Sequence, residues 1–89
     1  MKNKVLVKLI VPEIDNTFDV FIPVNEIMWK VKKMLVKSVS DLSGIMLNVN
    51  DEYLFINKQT SKCYNNNITV LNTDIRNATE IVMIHKKAI

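Results

Sequence analysis

One glycine, Gly44, serves the whole 89-residue chain. No glycine-rich loop therefore exists to bring backbone N–H groups against a phosphate. Cys63 is the single cysteine, which excludes an internal disulfide and the disulfide-stapled scaffold of small secreted domains; a reducing compartment is the expectation. Metal binding needs several ligands at suitable spacing, and Cys63 with the single histidine, His85, makes no recognisable set. The same two residues lie far apart in sequence with no third group marked to orient the imidazole, so no nucleophilic dyad is read there. Asp51 and Glu52 are neighbours, and neighbours on a strand point to opposite faces, which makes a poor acid/base pair. The apolar run after Lys8 is only Leu9 to Val11 before Pro12, too short for a signal-peptide core or a membrane span. The expectation is a cytoplasmic protein that is not an enzyme, with no cofactor, no metal site and no direct membrane insertion.

Charge of one sign is also scarce. The net charge is +3, from 12 Lys and Arg against 9 Asp and Glu, and Arg76 is the one arginine. Nucleic-acid binders carry denser basic patches or aromatic stacking platforms, so the lysines read as a solvated face and no specific nucleic acid is expected. Trp29, the one tryptophan, sits beside apolar positions and reads as a partly buried side chain rather than a stacking platform.

What is present is hydrophobic periodicity. With 89 residues and 48% hydrophobic content, the chain fits one domain spanning residues 1–89 around one core. Val5, Val7 and Leu9 recur with period 2 and predict a half-buried strand over roughly residues 3–11. Pro12 to Asn16 is turn chemistry, and Phe18, Val20 and Ile22 then alternate in a second strand, so a short antiparallel hairpin is expected. After Pro23, Asn25 can cap a helix in which Ile27, Met28, Val31, Met34, Leu35, Val39 and Leu42 recur at three- and four-residue spacing. Gly44 stands where that helix ends and suits a left-handed C-cap. Tyr53 to Ile56 and Glu80 to Met83 with Ile84 read as further strands, residues 57–67 as a polar segment, and residues 68–75 as a compact, partly apolar loop. The class is α+β, with a mixed sheet of four to five strands packed on one long helix. The first and last strands can pair in parallel because the intervening chain supplies the crossover.

This order, together with Val5-Leu6-Val7-Lys8, Val31-Lys32-Lys33-Met34-Leu35, Tyr53-Leu54-Phe55-Ile56 and Thr69-Val70-Leu71 followed by Asp74-Ile75 and Glu80-Ile81-Val82-Met83, resembles ubiquitin and the β-grasp pattern. Conjugated ubiquitin-like proteins and sulfur carriers finish in Gly-Gly, whereas this sequence reads His85-Lys86-Lys87-Ala88-Ile89; β-carbons there obstruct threading through an activating enzyme. Conjugation or sulfur transfer would require C-terminal processing. Among ubiquitin-like families without that tail, Phe18-Asp19-Val20 with Pro23, Val31-Lys32-Lys33 and the segment from Ile75 to Ile84 are similar to the YukD/EsaB family associated with bacterial type VII secretion. That resemblance implies a cytoplasmic accessory or regulatory component whose partner is a protein, such as a membrane secretion-complex subunit. A eukaryotic ubiquitin-like adaptor domain is the other reading left open.

The resemblance also implies a protein-binding patch on the sheet face opposite the helix, at Leu6, Phe55, Val82 and Ile84. Alternation then turns Val5, Val7, Leu54, Ile56, Ile81 and Met83 towards the helix. Lys4, Lys8 and Tyr53 would flank the patch, and Phe21 could extend it. Isolated outward apolar residues are common, so their contiguity decides whether this is an interface. An exposed strand edge offers a route to a homodimer.

Overall fold

The computed structural model describes residues 3–88. Strands β1 (Lys4–Val11) and β2 (Asn16–Pro23) are followed by helix α1 (Met28–Ser43), strand β3 (Tyr53–Asn57) and strand β4 (Glu80–His85), with short 3-10 turns at Pro12–Ile14, Val70–Asn72 and Lys86–Ala88. The four strands form one sheet in the order β2-β1-β4-β3. β1 pairs with β2 and β3 with β4 in antiparallel fashion, while β1 and β4 run parallel. The mixed sheet with one long helix across it is the expected α+β arrangement.

The hairpin closes through Pro12–Ile14, whose end residue Asp15 adopts the left-handed conformation at φ 51° and donates its N–H to the Pro12 carbonyl. Asp tolerates that region better than most residues because its short side chain can bond locally. At the far end of α1, Gly44 takes φ 75° and donates to the Ser40 carbonyl, the expected C-cap. The start of α1 differs from the sequence reading. Its N-cap is Ile27, with no side-chain cap, and Asn25 stays exposed. The N–H groups of Met28 and Trp29 donate instead to the carbonyls of Ile68 and Asn66, at 2.8 and 3.2 Å. Tertiary backbone acceptors satisfy the first turn, so no capping side chain is needed.

The core lies between α1 and one sheet face. Met28, Val31, Leu35, Val36 and Val39 of the helix are buried with Val7, Leu9, Val11, Ile22, Ile81 and Met83 of the sheet, and Val70 and Ile75 of the loop expected over residues 68–75 close the side. Met34 and Leu42 keep helical spacing yet remain exposed, because the sheet covers a narrower stripe than the apolar positions span.

β3 has the opposite phase to that expected. Phe55 is only 2% exposed and belongs to the core, so its assignment to the outer face is corrected. Pairing places it opposite Met83, with Leu54 opposite Ile84 and Ile56 opposite Val82. Leu54 and Ile56 therefore share the outer face with Val82 and Ile84, and Tyr53 packs against the core. The cause lies in the sequence: Tyr53 to Ile56 is apolar throughout, so period 2 carries no phase, and register with β4 decides which residues turn inward. Replacing Phe55 with Ala should lower unfolding free energy by about 4 kcal/mol, against about 1 kcal/mol for Leu54→Ala. Urea denaturation of the two variants checks this, and a reversed ranking would contradict the inward phase of Phe55.

Candidate functional site

On the outer face the registers place residues in rows. Leu6 lies beside Phe21, and Lys8 lies between Asp19 and Glu80. Ile10 is beside Val82, which is beside Ile56, and Ile84 is beside Leu54. Phe21 is 59% exposed, whereas Leu6, Ile10, Leu54, Ile56, Val82 and Ile84 are half-buried. None of these seven packs against the buried cluster; on the side away from the helix Ile10, Val82, Ile56, Ile84 and Leu54 form one apolar group, which the charged row of Asp19, Lys8 and Glu80 separates from Leu6 and Phe21. Ion pairs mark it: Lys8 Nζ lies 3.7 Å from Asp19 Oδ1, and Lys58 Nζ lies 3.6 Å from Glu80 Oε2. Such exposed pairs contribute little stability, but they place charge beside an apolar centre, the composition of an interface.

Of the residues expected in the patch, Leu6, Val82 and Ile84 are brought to one face and Phe55 is not. Tyr53, expected at its rim, lies on the helix side, where its ring meets that of His85 edge-on with centroids 4.9 Å apart. Sequence reasoning missed Ile10, Leu54 and Ile56. Ile10 was legible, since it shares the parity of Leu6 and Lys8 in a single strand; the other two required the β3 register. Leu6 is held by the segment leading into β4, where Asn77 Oδ1 accepts its N–H at 2.9 Å and its carbonyl accepts from Ala78 at 2.7 Å.

The polar segment 57–67 is anchored by a buried amide. Asn57 is the buried polar residue of the core. Its Nδ2 donates to Tyr64 Oη at 3.0 Å, and its Oδ1 accepts from the backbone N–H groups of Gln59 and Thr60 at 2.8 and 3.2 Å. Tyr64 in turn donates its hydroxyl to Asp74 Oδ1 at 2.7 Å. Partial burial and the Asp74 carboxylate both favour the protonated phenol and push its pKa well above the ordinary value. Lys32 of α1 reaches the same segment, donating to the Tyr64 carbonyl at 2.7 Å and to Asn66 Oδ1 at 2.6 Å. Burial pulls the Lys32 ammonium below its usual range, with Cys63 acting in the opposite sense.

His85 closes the end of the sheet. Its Nε2 lies 3.1 Å from Asp51 Oδ2, its Nδ1 accepts the Lys87 N–H at 3.1 Å, and its own N–H donates to Glu13 Oε1 at 2.6 Å. These contacts put the ring proton on Nε2 and tie three chain segments together. Cys63 is exposed and bridges to Ile56, whereas His85 pairs with Tyr53, so the two occupy different positions along β3. Among the described residues no group of three or more His, Cys, Asp and Glu side chains is arranged to hold a metal ion.

No family model matches the chain, and no curated protein sequence matches it. Its likeness to solved structures is extensive at low identity. The ubiquitin-like domain of an Arabidopsis thaliana protein overlays with a TM-score of 0.69 at 15% identity, covering 94% of this chain and 79% of that one. A chain of the MycP5-free ESX-5 inner membrane complex overlays with a TM-score of 0.72 at 11% identity over 93% of this chain, which spans 21% of that longer one. A chain of a toluene 4-monooxygenase complex overlays with a TM-score of 0.69 at 7% identity over 93% of this chain and 99% of that one. The fold is ubiquitin-like.

The Tyr64 network has a pH signature. Because the phenol pKa is raised on folding, the stability it contributes is fully present below the ordinary value of about 10 and declines as pH rises above it. Burial, Asp51 and Glu13 raise Tyr53 in the same direction. Tyr64→Phe should cost about 1 kcal/mol at neutral pH and flatten the fall in stability above about pH 10, leaving a residual slope from Tyr53. Denaturation midpoints measured across that range would show an unchanged alkaline slope if Tyr64 were not the group responsible.

Proposed function

We propose that this domain is a protein-interaction module that docks through its outer sheet face, with Val82 and Ile84 at the centre, Ile10, Leu54 and Ile56 completing the apolar surface, and Leu6 lying beyond the charged row of Lys8. The observation that carries this reading is the contiguity of five half-buried aliphatic side chains, Ile10, Leu54, Ile56, Val82 and Ile84, that serve no core and are bordered by charged pairs. A continuous apolar band loses more water on docking than isolated residues do. The catalytic alternative has no support in the chemistry of the face, which offers aliphatic carbon and paired charges rather than a nucleophile, acid or base.

Within that class we place the chain as a cytoplasmic accessory or regulatory component of bacterial type VII secretion, with a membrane secretion-complex subunit as its partner. Two lines support this: the sequence resemblance to the YukD/EsaB family, and the fold overlay on a chain of an ESX-5 inner membrane complex. No helix among the described residues is long and apolar enough to cross a membrane, so contact with such a complex would be made by docking. A role as a conjugated modifier is less well supported. After β4 the backbone coils into the turn Lys86–Ala88, with Lys86 N–H bonded to the Glu52 carbonyl at 3.0 Å, and no Gly-Gly pair occurs in the sequence.

Phe55→Glu cannot serve as the test, because it would bury a charge in the core and unfold the domain. Val82→Glu and Ile84→Glu lie on the outer face and should leave the fold intact. Pull-down from solubilised membranes, read by mass spectrometry, should recover secretion-complex subunits with the native chain and at least about tenfold less with either variant, a loss of roughly 1.4 kcal/mol. Undiminished capture by both folded variants would overturn the docking face, and recovery of unrelated partners would overturn the secretion assignment.

A further inference from the structure

The sheet has two edges, β2 and β3, and β3 borders a cleft against the helix. In an antiparallel pair, alternate residues turn both backbone groups to the partner and the intervening residues turn both away. Lys86 N–H donates to the Glu52 carbonyl and Lys58 N–H to the Glu80 carbonyl, each at 3.0 Å, so Leu54 and Ile56 face β4 while Tyr53, Phe55 and Asn57 face the open edge. Part of that edge is covered. Asn57 N–H donates to Lys62 at 2.9 Å, its carbonyl accepts from Ser61 at 2.8 Å, and the Phe55 carbonyl accepts from Tyr64 at 3.0 Å.

There the covering stops. The next bond of that ladder, from Phe55 N–H to the Tyr64 carbonyl, is not made; that carbonyl accepts from Lys32 Nζ at 2.7 Å. The Phe55 N–H and both backbone groups of Tyr53 have no hydrogen-bond partner among the described residues. They border a cleft of about 310 Å³ between α1 and β3, lined among others by Trp29, Lys33, Val49, Asp51 and Glu52. Trp29 is 43% exposed there.

The charges of the cleft are uneven. At the loop end, Glu52 is paired with Lys86 at 2.9 Å and Asp51 with His85 at 3.1 Å. On the helix, Lys30 and Lys37 are paired with Glu26 and Asp41, while no carboxylate among the described residues pairs with Lys32 or Lys33. Open strand-edge groups, an apolar wall and an uncompensated ammonium thus converge on one cleft.

We propose that this cleft is a strand-addition site for an extended, acidic–apolar segment of a protein partner. The segment's backbone pairs with Tyr53, an apolar side chain rests against Trp29, and a carboxylate sits beside Lys33. Main-chain bonds supply the attachment and alternate side chains the selectivity, as in strand addition generally. The site is separate from the outer sheet face, so either can fail without the other.

The test uses the isotope-labelled domain and the capped peptide Glu-Val-Asp-Val-Glu-Val, followed by amide NMR. Saturable shifts are expected at Tyr53, Phe55 and the Trp29 indole, with binding about fivefold weaker to Lys33→Glu. A peptide with lysine at its acidic positions should bind far more weakly. Two N-methylated versions decide the mode: methylating the valine amides or the acidic-residue amides removes donors from opposite strand edges, so one version should bind and the other should not. Absence of saturable shifts, shifts centred on Leu6, Val82 and Ile84, equal binding of the lysine peptide, or equal binding of both methylated versions would each overturn the proposal.

Discussion

The parallel pairing of β1 with β4 is the contact on which the remaining structure depends. Lys8 N–H donates to the Thr79 carbonyl at 2.9 Å, and Leu9 lies beside Ile81 with Ile10 beside Val82. This pairing joins the hairpin at one end of the sequence to the strand at the other. It also sets which residues of β4 turn to the helix. Through β4 it determines the phase of β3, because Phe55 must then face the core beside Met83. A slip of one residue would send Ile81 and Met83 to solvent and bring Val82 and Ile84 into the core.

Legibility in the sequence followed that hierarchy. In β1 and β2, Lys4, Lys8, Thr17 and Asp19 mark the outward face between inward apolar residues, so both their existence and much of their facing could be read locally. The helix was visible from its spacing and from Gly44, but its exact stripe was not: Val36 is buried while Met34 is exposed, a difference set by how α1 crosses the sheet. Phe55 was misplaced because four successive apolar residues contain no alternation to read. Leu6, Val82 and Ile84 were found because their neighbours Val7, Ile81 and Met83 have the complementary pattern. The cleft beside β3 left no local signal, since its walls come from α1, β3 and the loop before β3.

Polar groups do much of the positioning in a chain with so few turn-forming glycines. Asn57 gathers Gln59, Thr60 and Tyr64 around one buried amide, and leaving that amide unpaired would cost more than its bonds contribute in net terms. Glu13 and Asp51 tie the first hairpin and the loop before β3 to His85. In this way specific acceptors hold the irregular stretches 57–67 and 48–52 alongside the packing of Tyr64 and Val49 against the core.

The separation in sequence between β1 and β4 also has a consequence for synthesis. The inner edge of β1 has to wait for residues 80–85 before its hydrogen-bonding groups are met, and at cellular elongation rates that delay is on the order of several seconds. During translation the nascent hairpin therefore exposes an unpaired edge carrying Leu6, Lys8 and Ile10. Lys8, at the centre of that edge, is the residue type that discourages pairing with other chains, so the charge that borders a surface in the finished domain also protects the unfinished one on the ribosome.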